Sequence, residues 1–148
     1  MGDITHNLRD PFDYAAPKGG EMVTAQFVTL FPPTYRHLQH VAPIKQAFMA
    51  ALTSIQVTDE QREAAKKEER PDEDISPDAA IQLLYSGPGD MSKVMVHAAE
   101  LFKAGAILID GEIRATQPMI DKMSGHDFEQ VLGAYMANFI VTSLKAGA

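Results

Sequence analysis

The sequence predicts a mainly α fold, a small helical domain with an N-terminal β-hairpin and a short Asp-Gly β-turn before the C-terminal helices. Three observations predict it. Apolar residues recur at spacings of three and four over much of the chain after Leu38, which is the period of a helix face. β-Branched and aromatic residues gather ahead of Pro33, and the dipeptide Asp110-Gly111 stands between short apolar runs. At 148 residues with 45% hydrophobic and 22% charged side chains, the chain has the size and apolar content of one domain, residues 1–148. Within it we expect a hairpin plus helix over 1–57, an acidic flexible connector over 58–75 and a helical C-terminal part over 76–148.

Taken in order, Ile4 to Pro33 reads as extended. Met22 to Phe31 alternates in its middle, with Val23, Ala25 and Phe27 on one parity and Thr24, Gln26 and Val28 on the other. Phe12 and Tyr14 flank Asp13 upstream, and Pro17-Lys18-Gly19-Gly20 supplies a loose turn between the two arms. Pro32-Pro33 ends the hairpin, because proline cannot donate to a ladder. Leu38, Val41, Ile44, Phe48, Leu52 and Ile55 then share one helical face. Pro43 lies inside that pattern, so a short turn to about His40 followed by a main helix from Pro43 is expected.

From Thr58 to Asp78 the composition shifts. The acids Asp59, Glu60, Glu63, Glu68, Glu69, Asp72, Glu73, Asp74 and Asp78 outnumber the bases, with almost nothing large and apolar before Ile75. Such a stretch has little to bury and reads as a charged connector. Ser76-Pro77 restarts helix through Ala80, Ile81 and Leu84 until Gly87-Pro88-Gly89. Asp90 caps a further helix carrying Met91, Val94, Met95, Ala98, Leu101 and Phe102, which Gly105 ends. Ile107 to Arg114 is apolar around Asp110-Gly111, the composition of a tight two-residue turn with positive φ. A short helix follows Pro118, bearing Met119, Ile120 and Met123. Ser124 with Asp127 resembles a capping box opening a last helix from about His126 to Leu144. That helix carries Phe128, Val131, Leu132, Tyr135, Met136, Phe139, Ile140 and Leu144, a face broader than a surface helix needs.

Function classes are narrowed by what the chain carries. Without cysteine there is no disulfide scaffold, thiol chemistry or cysteine-ligated zinc. A net charge of −7 opposes nucleic-acid binding. No apolar run approaches a membrane span, and the first residues lack a signal peptide's basic start and apolar core, so a soluble cytoplasmic protein is expected. His37 and His40 can meet on one helical turn, but a zinc site needs further ligands, and a partly exposed histidine pair beside a helix start is the simpler reading. Asp127 beside His126 is explained by capping. Gly87-Pro88-Gly89-Asp90 lacks the Lys-Ser/Thr of a phosphate loop and reads as a helix breaker. No catalytic constellation, metal site or cofactor is predicted. What stands out is eight methionines, with Met91, Met95, Met119, Met123 and Met136 on or beside predicted apolar faces. Methionine suits ordinary core filling and also surfaces that accept changing partners. The residues alone reach an acidic helical binding module.

Two stretches go further. One is Asp10-Pro11-Phe12-Asp13-Tyr14 with Phe27-Val28-Thr29-Leu30, Pro33-Thr34-Tyr35-Arg36-His37 and Ile44-Lys45-Gln46-Ala47-Phe48. The other is Ile109-Asp110-Gly111-Glu112 with Met119-Ile120-Asp121-Lys122-Met123-Ser124, Asp127-Phe128 and Tyr135-Met136-Ala137-Asn138-Phe139-Ile140. Over about two-thirds of the chain these resemble the tail assembly chaperones of long-tailed (siphovirus-type) bacteriophages. The resemblance implies an α-rich, non-enzymatic protein of the host cytoplasm, absent from the mature virion. It would bind and solubilise the tape-measure protein, release it as tail tube protein polymerises around it, and self-associate. A frameshift extension near Ser143 to Ala148 would fit the family. Under that resemblance the expected partner-binding face is Met91, Met95, Phe102, Met136 and Phe139. The alternatives are a structural or completion protein of the tail and a small acidic secretion-type chaperone, both of which call for more strand than this sequence offers.

Overall fold

The computed structural model describes residues 3–16, 19–54 and 77–140, and these are mostly helical with short antiparallel strands. The acidic connector 58–75, Ser76, Pro17-Lys18 and the end of the chain from 141 lie outside the described residues.

Strand β1 (Ile4–Asn7) pairs antiparallel with β4 (Phe27–Leu30), Ile4 opposite Leu30 and Asn7 opposite Phe27. Strand β2 (Asp13–Ala15) pairs with β3 (Met22–Thr24), Asp13 opposite Thr24. The predicted hairpin is therefore present, but it is broken in the middle. Residues 8–12 on the first arm face only Ala25 and Gln26 on the second, and the break is bridged by Leu8 N–H to the Gln26 carbonyl (3.0 Å) and Ala25 N–H to the Phe12 carbonyl (2.8 Å). A bulge of this kind re-aims side chains. Here it turns Leu8, Phe12 and Ala25 into the core, and it ends the single alternation predicted for Met22 to Phe31: Ala25, Val28 and Leu30 are buried while Val23 is exposed.

Strand β4 is also the partner of a segment far along the chain. Strand β5 (Ile107–Ile109) lies antiparallel to it, Val28 opposite Ile109 and Leu30 opposite Ile107, and β6 (Ile113–Arg114) completes a sheet ordered β1-β4-β5-β6. Val28, Leu30, Ile107 and Ile109 form one fully buried face. Asp110 to Glu112 connect β5 to β6, with Ile109 opposite Ile113, so the expected two-residue turn is not the one formed. Asp110 (φ 52°) and Gly111 (φ 77°) both take the left-handed conformation. Gly111 has no Cβ to strain, and Asp is among the few other residues that visit the region readily.

The helices cover that buried face. Tyr35–His37 forms a tight 3₁₀ turn that runs into α1 (Leu38–Ser54) without interruption. Pro43 sits inside α1, correcting the expected break: its missing N–H removes one bond, while Val41, Ile44, Phe48 and Ala51 bury a continuous stripe on both sides of it. Helix α2 (Pro77–Ser86) starts at proline and buries Ala80, Ile81 and Leu84. Helix α3 (Met91–Leu101) is capped by Asp90, whose carboxylate accepts the Ser92 N–H (2.9 Å). It passes into a wide π turn (Phe102–Ala106) that Gly105 closes at φ 101°. Helix α4 (Gln117–Lys122) carries Pro118 in its first turn, and α5 (Gly125–Tyr135) ends in a second π turn (Met136–Ile140).

Two glycines set how near the helices come. A Cβ on Gly87 would lie 2.5 Å from the Ala51 Cβ, and one on Gly133 would lie 2.5 Å from the Pro77 carbonyl oxygen. The α2–α3 loop thus sits directly on α1, and α5 directly on the start of α2. A single hydrophobic core joins residues from both sides of the connector.

Candidate functional site

The five residues expected to face a partner do not share a surface. Met91 and Met95 are half-buried on α3, whereas Phe102 and Met136 are fully buried and Phe139 nearly so. The last three are core. The unusually broad apolar face of the C-terminal helix has this cause: α5 and its π turn are covered on several sides, by α2 among others, so Val131, Leu132, Tyr135, Met136, Phe139 and Ile140 all lie inside. Met119 and Met123 are buried as well. Met119, Met123 and Met136 are core filling, Met22 and Met49 are exposed, and Met95 is the methionine that lines a groove.

The groove itself lies between α3, α4 and α5. Met95, Val96, Ala99 and Glu100 form one wall, Gln117 and Ile120 the second, and Phe128 the floor. Positions 95, 96, 99 and 100 share one flank of α3 because three and four residues make one turn. Val96 is 61% exposed, an apolar side chain left at the mouth. Phe128 meets Phe102 edge to face with ring centroids 5.6 Å apart, so the floor rests on the core. At the rim Lys103 Nζ donates to Glu100 Oε1 (2.7 Å), and this holds the Glu100 carboxyl below its ordinary range. A groove of this composition offers dispersion contacts and little directional bonding. It can receive apolar side chains in several registers.

His37 does structural work. His37 is buried, accepts the Thr34 N–H at Nδ1 (3.0 Å) and faces the Ala104 carbonyl through Nε2 (3.1 Å). An accepting Nδ1 makes Nε2 the protonated nitrogen, so a neutral imidazole ties the 3₁₀ turn before α1 to the π turn after α3. This corrects the reading of His37 and His40 as a partly exposed pair, since only His40 stays near the surface. Among the described residues no group of three His, Cys, Asp or Glu side chains is placed to hold a metal ion, and no helix is long and apolar enough to cross a membrane.

Two aspartates that the sequence reading assigned to local roles reach across the molecule. Asp127 N–H donates to Ser124 Oγ (3.1 Å), as the cap predicts. Its buried carboxylate does not turn back onto its own helix. Oδ1 accepts the Arg9 N–H (2.9 Å) and Oδ2 the Asp10 N–H (2.8 Å), two consecutive amides that the bulge at 8–12 frees from the ladder. His6 lies near this carboxylate, and burial pushes its pKa down against the pull of Asp127. Asp110 does the same for the opposite arm. Its Oδ1 accepts the N–H groups of Gln26 (2.8 Å) and Phe27 (3.3 Å), and its Oδ2 accepts the Tyr14 hydroxyl (3.0 Å). Burial and this carboxylate push the Tyr14 hydroxyl up to about 12. The signal for both pins was an acid next to a turn, which is common in any sequence. Nothing local says that an acid's partners lie some hundred positions away.

Comparison with protein families, curated proteins and solved structures gives no significant match to this chain.

Proposed function

We propose that this protein is a phage tail assembly chaperone that keeps a tape-measure protein soluble until tail tube protein polymerises around it, acting in the host cytoplasm. The groove of Met95, Val96, Ala99, Ile120 and Phe128 carries this reading. A long helical client repeats an apolar stripe along its length, and a shallow groove floored by Phe128 and edged by methionine takes such a stripe through i, i+3, i+4 side chains. Weak binding at many positions solubilises the client and still lets tube subunits displace the chaperone. The charge of −7 keeps the complexes soluble and draws basic client segments. The mostly helical character agrees with this role.

The partner face is accordingly revised to Met95, Val96, Ile120 and Phe128, with Phe102 supporting Phe128 from below and Met136 and Phe139 in the core. Co-expression with the tape-measure protein of the same phage, followed by pull-down and light scattering, tests the reading. A client soluble only with this protein, and lost again with the Met95→Glu, Val96→Glu double variant, is the expected result. A client indifferent to the wild-type chain overturns it.

A further inference from the structure

We infer that the C-terminal π turn, Met136–Ile140, is a door in the aromatic core that opens locally in the folded protein, and that the buried, unpaired Tyr135 hydroxyl favours its opening. Tyr135 is fully buried and, among the described residues, its hydroxyl has no hydrogen-bond partner. A hydroxyl in that position has given up water and received nothing for it, so the closed state carries a cost that opening removes. The π turn begins at the next residue, and π turns of this kind within helices are frequent at functional sites.

The neighbours of Tyr135 say what opening would do. Phe139, on the π turn, packs edge-on against it with ring centroids 4.9 Å apart. On its other side Phe102 lies 6.3 Å away, on the π turn that follows α3, and Phe102 in turn supports Phe128 at the groove. A row of four rings, Phe128, Phe102, Tyr135 and Phe139, therefore runs from the half-buried floor of the groove to the door. Swinging the turn outward hydrates the Tyr135 hydroxyl and bares Met136, Phe139 and Ile140, which are buried in the closed state. An apolar client helix would stabilise the open state. That last step rests on the proposed function; the door itself does not.

Hydrogen exchange with mass-spectrometric readout on the full chain tests the door without any client. In the wild type, amides of 136–140 are expected to exchange by local opening, faster than those of Ile44 to Phe48 in α1. Tyr135→Phe removes the orphan hydroxyl and should slow exchange at 136–140 roughly tenfold with α1 unchanged. Phe128→Leu, which weakens the row at its groove end, should accelerate it. Equal protection of 136–140 and α1 in the wild type overturns the inference, as does a Tyr135→Phe variant whose turn exchanges no more slowly or whose whole chain slows alike. If the door behaves as expected and the client is not bound, the functional reading fails while the door stands.

Discussion

The junction of the broken hairpin and the groove on α3, α4 and α5 are built on opposite principles. At the junction, two carboxylates meet backbone amides at fixed distances, Asp127 on Arg9 and Asp10, Asp110 on Gln26 and Phe27. Charge-assisted bonds of this kind tolerate no slip, since any displacement leaves a donor without its acceptor. The groove is lined by methionine, valine, alanine and phenylalanine, and dispersion contacts survive small shifts. The contrast shows where the molecule spends its directional bonding. It fixes strand geometry with it and leaves the candidate binding surface adaptable.

Substitutions can break or sharpen this comparison. The largest effect is expected where a charge enters the core below the groove: Phe102→Glu should cost more than about 4 kcal/mol and abolish folding, whereas Met95→Glu at the groove edge should cost less than about 1 kcal/mol. Urea denaturation of the two variants measures this, and similar losses for both would erase the distinction between supporting core and accessible wall. Next comes Asp127→Ala, which strands two amides and should cost about 3 kcal/mol. Asp127→Asn, with one oxygen left to accept, should recover part of that loss.

Asp110 offers a finer division. Asp110→Ala loses the pin and also places a Cβ-bearing residue at φ 52° without a compensating side-chain bond, for a cost of about 2 kcal/mol. Asp110→Gly loses only the pin. A glycine variant about 1 kcal/mol more stable than the alanine variant, in the same denaturation experiment, separates backbone strain from hydrogen bonding. Equal stabilities would mean that the left-handed turn carries no strain.

The smallest expected effect is a pH dependence. Tyr14 has its folded pKa raised from 10.0 to about 12, so its neutral form is favoured in the folded state. The resulting stability is fully present below pH 10 and is lost as pH rises from there through about 12. Tyr14→Phe should therefore start less stable by about 1 kcal/mol at neutral pH and lose less between pH 10 and 12. Parallel alkaline limbs for the two proteins would show that Tyr14 does not donate to Asp110.

Residue by residue, legibility in the sequence follows the range of the interaction. Asp90 was readable as a cap because its partner, Ser92 N–H, is two positions away. Gly105 was readable as a stop for the same local reason. The continuity of α1 through Pro43 was not, because propensity there opposes the burial of Val41, Ile44 and Phe48, and burial is the larger quantity. The placement of Phe102, Met136 and Phe139 was misjudged for a related reason. A stripe of apolar residues has the same spacing whether it faces a partner or the protein's own interior.

The sequence by itself determined the mainly helical character, the strand content before Pro33, the Asp90 and Ser124 caps, the Gly105 stop and the acidic charge. These depend on side chains within a turn or two of each other along the chain. Tertiary structure alone decided that β5 would complete the sheet beside β4, that Asp110 and Asp127 would serve backbone amides about a hundred residues away, and which methionines would stay at the surface. Those outcomes follow from where a freed amide or an apolar face finds its best partner once the chain is compact, and sequence separation places no limit on that search.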